Sequence, residues 1–582
     1  MHFIHKGVTN MLAVETIARV REEDHARKYD QLVRDFCWDD VTDRFAWDDR
    51  GRMNMGYEVI DKHVARGRGD HIALIDVSLD EVRKVTFREM QDRSNQFANM
   101  LRQLGVQEGD RVFFYMPRMT AVYVGIVGAL KIGAIVGPLF EAFMEDAVYD
   151  RLHDAGATIV VTTQALAARI PVHKLPQLRH VVLMDADRPL TNGEVDGAAL
   201  LDAMPTTCAL AWVDGETPMI LHYTSGSTGK PKGVMHVHRA MIQHDRTGEW
   251  VLDLRPDDVY WCTADPGWVT GTSYGLFAPW LHGVTNVVLR GRFDAARWYE
   301  TIARFGVTVW YSAPTAFRML MAAGEQLSHT YDLHRLRHIL SVGEPLNPEV
   351  IRWGMHAFGQ RIHDTWWMTE TGAQMICNVP SMDIRLGSMG KPLPGITAAI
   401  VDDAGNELPP YTLGHLAIRP GWPSMMRGIW NNKQRYDAYF AISGWYVSGD
   451  AAYRDADGYF WFQGRVDDVI NTSGERVGPF EVESKLIEHP AVAEAGVIGK
   501  PDALRGEMIK AFVSLRAGYE ASPTLIAELQ HLVKTGLSAH AMPREIEVIG
   551  TLPKTRSGKI MRRVLKAREL GLPLGDVSTI EE

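Results

Sequence analysis

Apolar and polar residues along this chain follow two periods that take turns. Thr86 and Glu89 form a T-x-x-E capping box, after which Phe97, Leu101 and Leu104 recur at helical spacing. Gly105 is placed to end that helix. RVFFYM from Arg111 follows as an unbroken apolar run and reads as a buried strand. The alternation repeats through IVGPL, EDAVYDRLHDAG and TIVVTT, and again through GVTNVVL, ARWYETIARFG and VTVWYSA. Strands separated by helices predict a mainly parallel sheet covered on both faces.

The pattern changes after about Gly387. ITAAIVDDAGNELPPYTLGHLAIRP has short β-rich runs broken by DDAGN and PPY, which predicts a small barrel or hairpin subdomain over about 387–464. From about Val466 a new unit begins: a helix around VESKLIEH, strands at EAGVIG and KAFVSL, and a helix at TLIAELQHLVKTGL. The expected fold class is therefore α/β. A large N-terminal domain of mainly parallel sheets, residues 1–466, carries the β-rich subdomain, and a small α+β domain occupies 467–582. A chain of 582 residues exceeds what one core fills, which independently requires at least two domains.

The 62 Lys+Arg against 72 Asp+Glu give a formal charge of −10, with no electrostatic footprint for nucleic acid or an anionic membrane. The most apolar stretch, 119–130, is flanked by Arg118 and Lys131 and is too short to span a bilayer. No signal peptide is read at the N-terminus. Cys37, Cys208, Cys262 and Cys377 are scattered without a CxxC pair, which argues against a disulfide framework or zinc ribbon and for a reducing cytoplasm. His236 and His238 alternate on an expected strand with no third ligand nearby, so they read as ordinary polar-face histidines rather than a metal pair. There is no G-x-S-x-G elbow and no H-E-x-x-H, which leaves hydrolase readings without support.

Candidate chemistry centres on TSGSTGKPKG, residues 224–233, after the strand-like PMILHY. Its glycines and hydroxyls give a loop whose N–H groups can turn toward phosphate, with Lys230 and Lys232 adding charge. It is not a Walker A loop: the first glycine of GxxxxGK[ST] would fall at Thr224, and Pro231 stands where a hydroxyl should meet magnesium. The whole string LHYTSGSTGKPKGVMH resembles the phosphate-binding signature of the adenylate-forming superfamily of acyl-CoA synthetases, luciferases and peptide-synthetase adenylation domains. The resemblance runs from roughly Val85 to Arg563.

That resemblance implies a set of roles. Thr224, Ser225, Gly226, Ser227, Thr228, Gly229 and Lys230 would cradle the phosphates of ATP. In TWWMTETG, Thr369 would touch the α-phosphate and Glu370 would hold Mg²⁺, an oxygen-ligated ion suited to triphosphate. Gly343, Glu344 and Pro345 would line adenine and ribose, and Asp364, Thr365 and Trp366 would flank the base. Asp450, closing GWYVSGD, would accept from the ribose hydroxyls. In GRVDDVINTSGERVGPFEVE, Arg465 would contact the ribose, Asp467 would be the hinge, and Arg476 would meet phosphate. Lys559 in PKTRSGKIMRR would enter the site to stabilise charge between carboxylate and α-phosphate. An acetyltransferase and deacetylase acting on Lys559 would then be regulatory partners, because acylation removes its charge.

Within the superfamily, WCTADPGWVTGTSYGLFAPWLHGVT looks more like the acetyl-CoA synthetases than like long-chain or aromatic-acid ligases. Trp367 falls where an indole closes their acyl pocket, with Val269, Thr270 and Val342 completing it. Met368 and Thr272 depart from that branch, where many members carry Gln and His. The expected reaction is ATP-dependent activation of acetate to acyl-AMP with release of pyrophosphate, then transfer to coenzyme A. Propionate is a second candidate, since one methylene discriminates only modestly. Alternatives on the same fold are a medium-chain acyl-CoA ligase and an enzyme loading a carrier protein.

Overall fold

The computed structural model describes residues 14–18, 29–191, 193–226, 229–472, 475–502, 505–554 and 560–574. The Thr86 hydroxyl accepts the Glu89 N–H at 3.1 Å and opens the helix Phe87–Gln103. Glu89 does not close the second half of the capping box, because its carboxylate pairs with Arg83 on the preceding strand Val82–Thr86. Gly105 follows the helix in the left-handed conformation, with φ +79°. The next helix, Thr120–Lys131, packs across Phe87–Gln103 at close range. A Cβ on Gly128 would lie 2.7 Å from the Ser94 carbonyl oxygen, so only glycine permits that approach.

Two large sheets carry most of the chain. One has eight strands, with Arg111–Tyr115 central and parallel to Ile135–Leu139 and Ile159–Thr162. Its far edge is antiparallel: Pro218–Gly226 turns back as Gly229–Val237, which then pairs with Gly428–Ile429. The other has nine strands, of which Ile72–Val77, Thr285–Leu289, Val259–Cys262, Val309–Ser312, His338–Val342 and Ile362–Trp366 run parallel in spatial order. Continuous apolar runs such as VFFY and HILSV are buried on both faces, as covered parallel strands require.

The β-rich stretch forms a four-stranded antiparallel sheet: Ala398–Val401, Gly414–Ile418, Tyr446–Arg454 and Phe460–Arg465. Beyond it, a separate sheet is built around the hairpin Val492–Asp502 and Gly506–Leu515. The helices Pro479–Ile487 and Pro523–Gly536 pack onto its apolar face. Among the described residues no helix is long and apolar enough to cross a membrane.

One expectation is corrected. His236, on the strand Gly229–Val237, and His238, in the short helical turn His238–Ala240 after it, are buried rather than on a polar face, because segments from elsewhere in the chain cover them. His236 Nε2 bonds the Thr369 carbonyl at 2.7 Å, and His238 Nδ1 accepts the Met55 N–H at 3.1 Å.

Candidate active site

Four parallel strands of the nine-stranded sheet end side by side, and the loops leaving them converge on one cavity of about 1850 Å³. This is where open α/β sheets place ligands, beyond the carboxyl ends of their strands. Val259–Cys262 delivers Val269 and Thr270, Val309–Ser312 delivers Thr315 and Arg318, His338–Val342 ends at Gly343–Glu344–Pro345, and Ile362–Trp366 leads into Trp367, Thr369 and Glu370. Thr224 enters from the eight-stranded sheet, while Asp450, Arg465 and Asp467 come from the antiparallel sheet and the turn after it. The cavity also reaches the C-terminal unit, where Glu483, Arg562 and Lys566 line it and Asn347 Nδ2 donates to Ser484 Oγ at 2.9 Å.

Glu370 is 4% exposed. Its Oε1 accepts from Lys232 Nζ at 2.5 Å and from the Tyr439 hydroxyl at 2.7 Å. Burial opposes ionisation of this carboxyl, but the Lys232 charge and the two hydrogen bonds outweigh it and hold Glu370 below its ordinary value. The two oxygens of Asp450 are engaged by Trp366 Nε1 at 3.0 Å and Arg465 Nη1 at 2.9 Å. Glu344 accepts from Thr315 Oγ1 at 2.7 Å and Arg318 Nη2 at 2.8 Å, which fixes the turn at the end of its strand. Asp364 accepts the Thr365 N–H at 3.0 Å, and burial pushes its carboxyl up to about 7. Thr365 Oγ1 donates to the Ser341 carbonyl at 2.6 Å, tying neighbouring strand ends together.

Trp367, 8% exposed, donates Nε1–H to the Tyr311 hydroxyl at 3.1 Å and meets the Tyr274 ring edge-on, with centroids 5.0 Å apart. Gln374 Nε2 donates to the same Tyr311 hydroxyl at 3.1 Å. Val269, Thr270 and Val342 line the cavity with it. Thr272 Oγ1 lies 2.8 Å from His222 Nε2 and is buried behind this wall.

Not every expected residue is gathered here. Arg476 is exposed on Glu475–Val477 and does not line the cavity, because that strand pairs with Ile470–Thr472 at the edge of the C-terminal sheet. Ser227, Thr228 and Lys559 lie outside the described residues, although residues 560–563, just after Lys559, line the cavity. Ser225, Gly226, Gly229 and Lys230 are described in backbone alone, within the hairpin Pro218–Gly226 and Gly229–Val237.

Sequence reasoning missed Thr315, Arg318, Tyr311, Tyr274 and Tyr439. Each acts through a partner far away in the chain; Tyr274 does lie in the string 261–285, but nothing local pairs it with Trp367.

The fold and cavity are those of an enzyme that activates a substrate on a nucleotide. Residues 61–430 match the family model described as AMP-binding enzyme, and residues 481–559 match the AMP-binding enzyme C-terminal domain. The chain belongs to the AMP-binding enzyme family. It is 60% identical over 565 residues to the acetyl-coenzyme A synthetase of Bacillus subtilis, covering 96% of this chain and 98% of that one. It is 38% identical to the acetyl-coenzyme A synthetase of Nitrosomonas europaea, covering 98% and 94%. Among solved structures, a Brucella canis acyl-CoA synthetase superposes with a TM-score of 0.74 at 37% identity, covering 94% of this chain and 99% of that one. An anthranilate CoA ligase in complex with anthranoyl-AMP superposes with a TM-score of 0.82 at 32% identity, covering 90% and 98%.

Proposed function

We infer that this chain is an AMP-forming acid–thiol ligase that activates acetate with ATP and transfers the acetyl group to coenzyme A. The observation that carries the choice of acid is Trp367, a buried indole held by Tyr311 and Tyr274 at the wall shared by Val269, Thr270 and Val342. Its volume stands where the methylenes of a longer acid would go. The same feature disfavours a medium-chain ligase, and the acetyl-coenzyme A synthetase relatives disfavour a carrier-loading enzyme. Propionate is the next acid in order, with a modest penalty for one added methylene.

In the first half-reaction an acetate oxygen attacks the α-phosphorus of ATP, and the bond to pyrophosphate breaks. Residues 224–230 would cradle the phosphates through their backbone N–H groups, and Thr369 would contact the α-phosphate. Asp450 and Arg465 hold the ribose, while Gly343–Glu344–Pro345 and Asp364–Thr365–Trp366 enclose the base. Lys559 stabilises charge developing between carboxylate and phosphate. In the second half-reaction the coenzyme A sulfur attacks the acyl carbon, the C–O bond to AMP breaks, and the thiol proton passes to solvent. Asp467 is the pivot about which the small domain, residues 467–582, turns between the two halves.

Glu370 is the residue we assign to Mg²⁺. The fit rests on its chemistry: a buried carboxylate in the cavity wall that already faces a cation, the Lys232 ammonium. Among the described residues no group of three or more His, Cys, Asp or Glu could hold a metal, so nucleotide oxygens would complete the set, as Mg²⁺ commonly arranges. When bound, the ion supplies neutralisation of triphosphate charge.

We place the enzyme in the cytoplasm because its four cysteines are free thiols, a state a reducing compartment preserves. Acetylation of Lys559 would remove the charge its role requires, so an acetyltransferase and a deacetylase are the regulatory partners proposed.

The test follows the oxygen atoms. With ¹⁸O-labelled acetate, ATP and coenzyme A, one label is expected in the phosphate of AMP. Unlabelled AMP, or ADP as the nucleotide product, would contradict an acyl-adenylate.

A further inference from the structure

A buried carboxylate needs a partner before any ligand arrives, and here the partners can be named. Lys232 follows the hairpin turn of the glycine-rich loop, opposite Thr224 across the two strands, and both residues line the cavity. Its ammonium lies 2.5 Å from Glu370 Oε1 and 4.8 Å above the Tyr439 ring, and it also bonds the Tyr439 hydroxyl. That hydroxyl reaches the same Oε1 at 2.7 Å. The Tyr439 ring is in turn stacked on Tyr446, with centroids 5.6 Å apart and planes 7° from parallel. Tyr446 begins the strand Tyr446–Arg454, which carries Asp450. The cage therefore links the carboxylate of the TETG segment to the phosphate loop on one side and to the Asp450 strand on the other.

We propose that Lys232 and Tyr439 are positioning residues: the Lys232 ammonium is a placeholder cation that holds Glu370 in the nucleotide-free enzyme until metal–nucleotide displaces it, and the Tyr439 hydroxyl keeps the Glu370 side chain in place through the exchange. This rests on the assignment of Glu370 as the metal ligand. The exchange is electrostatically balanced. A divalent cation takes over the charge on Glu370, and the incoming triphosphate offers the released ammonium new oxygens beside the loop from which Lys232 springs. Neutralising the carboxylate from within also removes the cost of holding it buried and unpaired while the site is empty.

Three variants separate the roles, read by Mn²⁺ binding in electron paramagnetic resonance titrations with α,β-methylene ATP, and by thermal unfolding without ligand. Tyr439→Phe keeps the ring stack and loses the hydroxyl. It is expected to weaken Mn²⁺ binding about tenfold, the worth of one hydrogen bond to a charged group, with nucleotide binding in EDTA unchanged. Lys232→Met is expected to lower the unliganded melting temperature by stranding Glu370, and to give a larger melting-temperature rise with Mn²⁺ and the analogue than the parent shows. The double variant Lys232→Met/Glu370→Gln, in which no charge is stranded, is expected to recover most of the lost unliganded stability. Mn²⁺ binding unaltered in Tyr439→Phe, or a double variant no more stable than Lys232→Met, would overturn the proposal. Glu370→Gln alone serves as control: if it binds Mn²⁺ as the parent does, the metal assignment itself fails.

Discussion

The indole of Trp367 is gripped on two sides, by the Tyr311 hydroxyl at its N–H and by the edge of Tyr274, so it has no rotamer to retreat to when a longer acid enters. Trp367→Gly should therefore admit butyrate through octanoate, each added methylene contributing about 0.8 kcal/mol of binding once there is room for it. Acetate should lose specificity in the same variant, and folding stability should fall by at least about 3 kcal/mol for the cavity left behind. Rates with C2 to C8 acids and a urea unfolding curve check both; butyrate and longer acids remaining non-substrates would remove Trp367 from the pocket. At this scale the sequence was legible where chemistry sits in a dense string. TETG marked Glu370 and GWYVSGD marked Asp450, and both line the cavity. Their partners were not legible, because Tyr439 lies 69 residues from Glu370, Arg318 lies 26 from Glu344 and Tyr311 lies 56 from Trp367. No local period encodes such pairs.

Between the strand Val259–Cys262 and the short helix Val269–Thr272, the chain turns through Asp265. This carboxylate is 7% exposed; Oδ1 accepts the Gly267 N–H at 2.8 Å and Oδ2 lies 3.8 Å from Arg118 Nε. Burial pushes its carboxyl up to about 7, against the pull of Arg118 and the Gly267 N–H. The folded protein then binds a proton more tightly than the unfolded chain does, so the turn loses stability as pH rises from about 4 through about 7. Asp265→Asn cannot ionise and escapes that loss. Its stability relative to the parent should improve between pH 4 and 8, by up to about 4 kcal/mol, a figure in which the Arg118 attraction already counts. Denaturant midpoints at pH 5 and 8 measure this, and parallel profiles for the two proteins would contradict it. Elements themselves were well forecast where periodicity was strong, as in the helix Phe87–Gln103 and the parallel strands. The forecast failed at His236 and His238, where the Thr369 and Met55 segments, distant in the chain, cover a stretch whose alternation suggested a wet face.

For the whole molecule, alternating periods were enough to specify α/β architecture, because a parallel strand must be crossed over by something, and the something is a helix. What they could not specify is which strand ends meet. The spatial order of the nine-stranded sheet brings residues from Val269 to Glu370 to one cavity, the other sheets and the C-terminal unit complete its wall, and only long-range packing decides that. Arg476 illustrates the same point: its string says nothing of the sheet edge on which its strand Glu475–Val477 sits, exposed and outside the cavity lining. Activity belongs to the assembled cavity rather than to any one string, so the most direct test is turnover by the intact enzyme. AMP release from ATP would be measured with acetate, propionate, butyrate and octanoate, each with and without coenzyme A. Sustained AMP formation with coenzyme A and the two shortest acids alone is the expected result. Best turnover with octanoate would keep the fold and overturn the acetate pocket, and ADP in place of AMP would contradict adenylation altogether.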